Sequence, residues 1–316
     1  MKRFVLILLA LLPALLLPAR TREVSDTLVF TPQWTAQAQF AGYYVAKDMG
    51  FYEEEGVNVQ IIHPNVTQSA ESRLRSHLSH ATTLQLAQAV EIAANGVPLV
   101  NLLQTSMNSG MVVISRRGKN PMEQRGAKVG IWAGGFTQLL ESVVKEANLP
   151  FEWIQAATMV NLYIAGALDA IVAMTYNEYY QVKQAGFNLP ENCIYRLADH
   201  GYNIQEDGLY VTREYYEKHK ELADKFARAS RRGWDYAEAH PDQALDIVMR
   251  YVDRNHIATN RILQSLMLKE VLNLQYDPDS GEKEYRIRPD MLQLTNDIML
   301  KAGLIPRPVT LEELCR

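Results

Sequence analysis

One local rhythm dominates the first two thirds of the chain: a short apolar run, a turn, then a segment of helical periodicity. Residues 27–33 (TLVFTPQ) predict a strand, and 40–56 a helix stopped by glycine. Residues 58–64 predict the next strand, 69–78 and 83–96 two helices, and 98–106 another strand. This alternation marks a parallel sheet with helices on both faces, an α/β fold. After one more apolar run at 111–117, a polar stretch at 118–127 (GKNPMEQRGA) interrupts the pattern, and the rhythm then restarts. From about 208 onward (GLYVTREYYEKH) the character changes to long amphipathic helices, which predicts a helical tail packed back on the first unit. The expected organisation is a first lobe from 24–115 plus 208–316 and a second lobe from 116–207.

Ahead of the first strand, Met1-Lys2-Arg3 is followed by a 16-residue apolar run with two prolines, at 4–19. Two positive charges, a short apolar core and a small residue at its end read as a signal peptide over 1–19. A membrane-spanning helix takes about 20 apolar residues, so a permanent anchor is the poorer fit. The expected location of the mature chain is therefore periplasmic. A net charge of −4 and a pI near 6.0 give no basic stripe for nucleic acid. Two cysteines, Cys193 and Cys315, cannot build a disulfide scaffold and match no zinc spacing. His77 and His80 lack companion ligands, so neither a metal nor a cofactor is expected.

Open α/β sheets bind ligands beyond the carboxyl ends of their strands, which directs attention to the strand-to-helix turns. After the first strand, Trp34 can stack on a flat ring or plug the lobe's end, while Gln37 offers a donor and an acceptor. Phe40, Tyr43 and Tyr44 on the next helix have the spacing of core residues. Thr82 and Thr83 read as helix caps, with free N–H groups behind them for an anion or carbonyl. Gly134, Gly135, Phe136 and Thr137 form a glycine turn that lets a ligand approach the backbone. Tyr176 offers a ring face, and Asn177 fits a cap. Glu178 is either an acceptor for an exocyclic amine or a charge in a helix's first turn. Gln104 and Asp207 complete the candidates. No turn is rich in Arg or Lys, which speaks against a sulfonate, nitrate or phosphate clamp and for a neutral or cationic ring.

The segment FTPQWTAQAQFAGYYVAKDMGFYEEEGVNVQI, followed by NGVPLVNLLQ, RGAKVGIWAGGF and IAGALDAIVA, resembles the binding proteins of the nitrate, taurine, alkanesulfonate and thiamine-precursor ABC importers. That resemblance spans about 27–275. It implies a type 2 periplasmic-binding-protein fold, with two α/β lobes joined by crossings near 111–117 and 205–210 and the solute between them. It also implies a membrane permease as partner and a monomeric chain. Within that superfamily the ligand reading that suits these turns is a thiamine pyrimidine precursor, with a sulfonate or riboflavin as alternatives. The same superfamily contains a fungal enzyme that makes the pyrimidine unit of thiamine and needs a lysine for pyridoxal phosphate, a histidine and a cysteine cluster. Here 66–95 has no lysine, Gln88 falls near the histidine's place, and 200–212 has no cysteine. These departures, with the leader, predict a carrier and not an enzyme.

Overall fold

The computed structural model describes residues 27–65, 67–116, 118–132, 137–156 and 158–316. The leader at 1–19 and Gly134, Gly135 and Phe136 lie outside the described residues. Along the first lobe run β1 (Leu28–Thr31), α1 (Ala41–Asp48), α2 (Phe51–Glu54), β2 (Val59–Ile61), α3 (Ala70–Arg75), β3 (Ala81–Gln85), α4 (Leu86–Ala94) and β4 (Leu99–Gln104). The second lobe holds β5 (Met111–Ser115), β6 (Lys128–Trp132), α5 (Gln138–Glu146), β7 (Glu152–Ala156), α6 (Met159–Ile164), β8 (Ala170–Met174), α7 (Glu178–Gln184) and β9 (Ile194–Arg196). The chain then returns through β10 (Asp207–Thr212) to α8 (Arg213–Ala239), α9 (Pro241–Arg254), α10 (Arg261–Asn273), α11 (Pro289–Lys301) and α12 (Leu311–Leu314).

Two five-stranded sheets result, in the orders β2-β1-β3-β10-β4 and β7-β6-β8-β5-β9. The strands read from the βα rhythm run parallel, but β10 is antiparallel to β3 and β4, and β5 is antiparallel to β8 and β9. Each reversed strand is the first one after a passage between lobes, so it enters its sheet from the opposite end. This corrects the lobe boundary. Met111–Ser115 pairs within the second sheet, so the first passage is 105–110, not 111–117. The polar break at 118–127 lies inside the second lobe.

The two passages are hydrogen-bonded to each other. Ser109 Oγ donates to Glu206 Oε1 at 2.7 Å, Gly110 N–H to Glu206 Oε2 at 3.1 Å, and Ser109 N–H to Asn203 Oδ1 at 3.0 Å. The helical tail packs on the first lobe through α8 and α9 against α1, and α12 covers β4. However, α11 lies against both α4 and α5 and so touches both lobes. Across that seam Lys301 pairs with Glu146, and Lys145 donates to the Ala302 carbonyl. Across the other side of the cleft, Asn260 Nδ2 donates to Gln184 Oε1 at 3.1 Å.

The first lobe is fastened where α1 crosses α8 at backbone contact. A Cβ on Gly42 would lie 2.2 Å from Trp234 Cδ2, and one on Gly233 would lie 2.0 Å from the Gly42 carbonyl oxygen. The buried Trp234 meets Tyr43 edge to face at 5.7 Å, and the Tyr52 hydroxyl joins Ser230 Oγ at 2.9 Å. Phe40, Tyr43 and Tyr44 are all core residues. Overfilling such a contact typically costs about 1–3 kcal/mol. G233A should lower unfolding stability by at least that much in denaturant melts. An unchanged midpoint would mean that the two helices have room to separate.

Candidate functional site

A pocket lies between the lobes. It is lined by Gln33, Trp34, Gln37 and Gln39 after β1, Gln85 at the end of β3, Trp132 at the end of β6, and Met174, Tyr176, Asn177 and Glu178 after β8. Every contributor sits at or just past the carboxyl end of a parallel strand, where an open α/β sheet leaves backbone groups and side chains unopposed. An outer chamber of about 1350 Å³ shares Trp34, Gln37, Trp132, Asn177 and Glu178 with it and continues outward past Asn260 and Gln264.

The Trp34 loop is held from below. Thr83 Oγ1 accepts the Gln33 N–H at 2.9 Å, and Asp207 accepts from Gln33 Nε2 at 2.7 Å and Gln39 Nε2 at 2.6 Å. Gln37 Nε2 in turn donates to Gln39 Oε1 at 2.6 Å. Behind the loop, His63 Nδ1 meets the Trp34 carbonyl at 2.6 Å and Nε2 meets the Tyr44 hydroxyl at 2.9 Å. Burial lowers the His63 pKa to about 4. The ring is therefore neutral. Because a carbonyl only accepts, the proton sits on Nδ1 and Nε2 accepts from Tyr44.

In the opposite wall, Glu178 begins α7, and burial raises its pKa. Its Oε1 accepts from Trp132 Nε1 at 3.2 Å and Asn177 Nδ2 at 3.1 Å, and its Oε2 accepts the Met174 N–H at 3.0 Å. A carboxylate has about four lone-pair sites, so one place remains for a further donor. Burial also holds the Tyr176 hydroxyl well above its ordinary pKa, helped by the charges of Asp207, Glu206 and Glu178.

The structure thus brings Trp34, Gln37, Tyr176, Asn177 and Glu178 to one pocket, and places other candidates elsewhere. Thr82 and Thr83 are not helix caps. They lie in the middle of β3, where Thr82 Oγ1 donates to the Thr31 carbonyl at 2.7 Å, and the cap position of α4 belongs to Gln85. Gln104 is fully buried, and its Nε2 donates to the Ser106, Glu206 and Asp207 carbonyls, bracing the passages between lobes. Thr137 donates to Glu141 Oε1 at 2.5 Å and does not line the pocket. Asp207 borders a small adjoining cavity with Gln39 and Tyr176. Sequence reasoning missed Gln39, Gln85, Trp132 and Met174 as lining residues. Trp132 and Met174 are the last residues of their strands, one step before the strand-to-helix turns.

Two sheets, two passages and an interlobe pocket define a type 2 periplasmic-binding-protein fold. Its structural likeness extends to the ligand-binding component of an ABC-type import system from Staphylococcus aureus, with a TM-score of 0.68 over 92% of this chain and 96% of that one, at 11% identity. The NMT1/THI5 like family model matches residues 37–244, and the chain belongs to that family. Among curated relatives, a formylaminopyrimidine-binding protein of Halalkalibacterium halodurans is 22% identical over 88% of this chain and 88% of its own. The riboflavin-binding protein RibY of Chloroflexus aurantiacus is 26% identical over 87% of this chain and 80% of its own.

The carboxyl pair beside the pocket makes stability depend on pH. Burial raises Glu206 to about 8 and Asp207 to about 6. In the unfolded chain both titrate near 4. Between about pH 4 and about pH 8 the folded chain binds more protons than the unfolded one, so stability falls as pH rises through that window. The melting temperature should therefore decline from pH 5 to pH 8, and E206Q should flatten the decline. Equal slopes in the two proteins would show that Glu206 ionises as freely as a surface carboxyl.

Proposed function

We propose that this chain is the extracytoplasmic solute-binding subunit of an ABC importer and that it holds a thiamine pyrimidine precursor, of formylaminopyrimidine type, between its lobes. The observation that carries the reading is the chemistry of the pocket wall. Indole and phenol faces, carboxamides and one buried carboxylate line it, with no Lys or Arg among the described lining residues. Such a wall suits a flat ring bearing an amine and offers nothing to clamp a sulfonate or phosphate. The name of the Halalkalibacterium relative supports the same choice. The outer chamber favours one second reading, a larger ring system such as riboflavin, which the RibY relative is named for. A synthase reading lacks its amine: 66–95 contains no lysine to form a Schiff base. In this reading the leader directs export, a membrane permease is the partner, and the chain works as a monomer.

In the bound state Trp34 stacks on the ring from the first lobe, and Glu178 accepts from the exocyclic amine from the second. Losing one charge-assisted hydrogen bond costs about 1.5–3 kcal/mol. E178Q and W34A should therefore each weaken binding of 4-amino-5-hydroxymethyl-2-methylpyrimidine about tenfold or more in calorimetry. Normal binding by E178Q would leave Glu178 a first-turn helix charge and remove the aminopyrimidine reading. Normal binding by W34A with a much lower melting point would make Trp34 a core plug. A thermal-shift panel of this pyrimidine, thiamine, riboflavin, taurine and nitrate ranks the ligand classes, because a solute at 100 times its Kd stabilises by about 2.7 kcal/mol.

A further inference from the structure

Gln33 stands in the pocket wall and is only 5% exposed. Its backbone N–H and its side-chain Nε2 are both engaged, on Thr83 and Asp207. Its Oε1 is buried and has no hydrogen-bond partner. The carboxamide cannot turn over to relieve this, because a flipped group would set Oε1 against the Asp207 carboxylate, acceptor against acceptor. Nor can Asp207 turn away, since Gln39 Nε2 holds its other oxygen at 2.6 Å. Gln39 Oε1 is itself occupied by Gln37 Nε2. One carboxylate thus fixes the polarity of three glutamines, and the acceptor left over is Gln33 Oε1. Leaving a buried acceptor unmatched costs stability in the empty protein, and a bound donor recovers it.

We propose that Gln33 Oε1 accepts an N–H of the bound ring, so that Gln33 sets an amine requirement on the solute and Asp207 is the positioning residue that orients it. This deepens the reading of the cleft as a solute site. Glu178 alone is a poor discriminator, because three protein donors already occupy its carboxylate. An exocyclic –NH2 has two hydrogens, one for Gln33 in the first lobe and one for Glu178 in the second. A solute with C–H at that place leaves the orphan unmatched, and one with a carbonyl adds repulsion.

The test compares 4-amino-5-hydroxymethyl-2-methylpyrimidine with its 4-desamino analogue by calorimetry on the mature chain. The wild type should prefer the amino compound about tenfold or more. Q33M keeps the side chain's length and removes the acceptor, and should bring the two affinities to within about threefold. D207N, which removes one acceptor oxygen from the glutamine network, should reduce the same ratio while both variants keep a cooperative melt. A large wild-type ratio that persists in whichever variant folds overturns the role of Gln33 and leaves the solute reading intact. Equal binding of both compounds by the wild type overturns the inference, since no amine is being read. Binding of neither compound overturns the inference and the pyrimidine reading together.

Discussion

Two adjacent carboxyl groups, a buried Glu206 and a half-buried Asp207, sit where the chain leaves the second lobe and enters β10. Neither is paired with a Lys or Arg among the described residues. A buried carboxyl group without a counter-ion is costly to ionise and costly to leave unbonded, so it needs polar partners. Here the donors come from two separate parts of the chain. Glu206 takes Ser109 Oγ and the Gly110 N–H from the first passage. Asp207 takes Gln33 and Gln39 from the loop after β1. The register of β10 is fixed by the same neighbourhood. Gly208 stands opposite Gln104, and a Cβ there would meet Gln104 Oε1 at 2.4 Å. The acidic pair therefore ties both passages and the floor of the pocket into one hydrogen-bonded unit.

That arrangement couples the pocket to the joint between lobes. The Trp34 loop hangs from Asp207, and Asp207 belongs to a passage residue pair, so a solute that shifts the glutamines acts directly on the joint. Resistance to lobe movement comes from elsewhere. On one side α11 bridges α4 and α5 with a Lys301–Glu146 pair; on the other, Asn260 meets Gln184. Both are exposed polar contacts, screened by solvent and weak. The buried network is far more costly to break than these clasps. Opening is thus expected to disturb the clasps and to preserve the joint.

Much of this was legible in the sequence, because the strand-helix rhythm is a local property. Each predicted strand from TLVFT to DAIVAMT is present, and the strand-end rule found Trp34, Gln37, Tyr176, Asn177 and Glu178. What failed was register and reversal. ATTLQ reads as a cap followed by a helix, yet its threonines are good strand residues and the helix begins only at Leu86. MVVIS continues the first lobe's apolar pattern, and nothing in its own composition says that it pairs across to β8 and β9. The Ser106-Met107-Asn108-Ser109-Gly110 stretch carried the turn signal that marks the real passage. Gln104 and Asp207 look like free polar candidates in isolation. Their work as braces depends on partners some 100 residues away, such as Gln104 on the Asp207 carbonyl.

The hydrogen-bond inventory of the pocket explains why shared fold and shared ligand need not go together. In a cleft built to hold an oxyanion, side-chain and backbone donors point inward. In this cleft one N–H each of Gln33, Gln39, Gln37 and Asn177, and the indole N–H of Trp132, goes to a protein acceptor. Acceptor capacity is left at Gln33 Oε1, which has no protein partner, and on the Glu178 carboxylate, close to the Asp207 carboxylate. An anionic solute meets repulsion and no Lys or Arg among the described lining residues, whereas a donor-bearing ring completes bonds that the protein leaves open. Selectivity of this kind comes from the penalty on the wrong solute as much as from attraction to the right one. In this reading it is set by Asp207, acting through the glutamines that it orients.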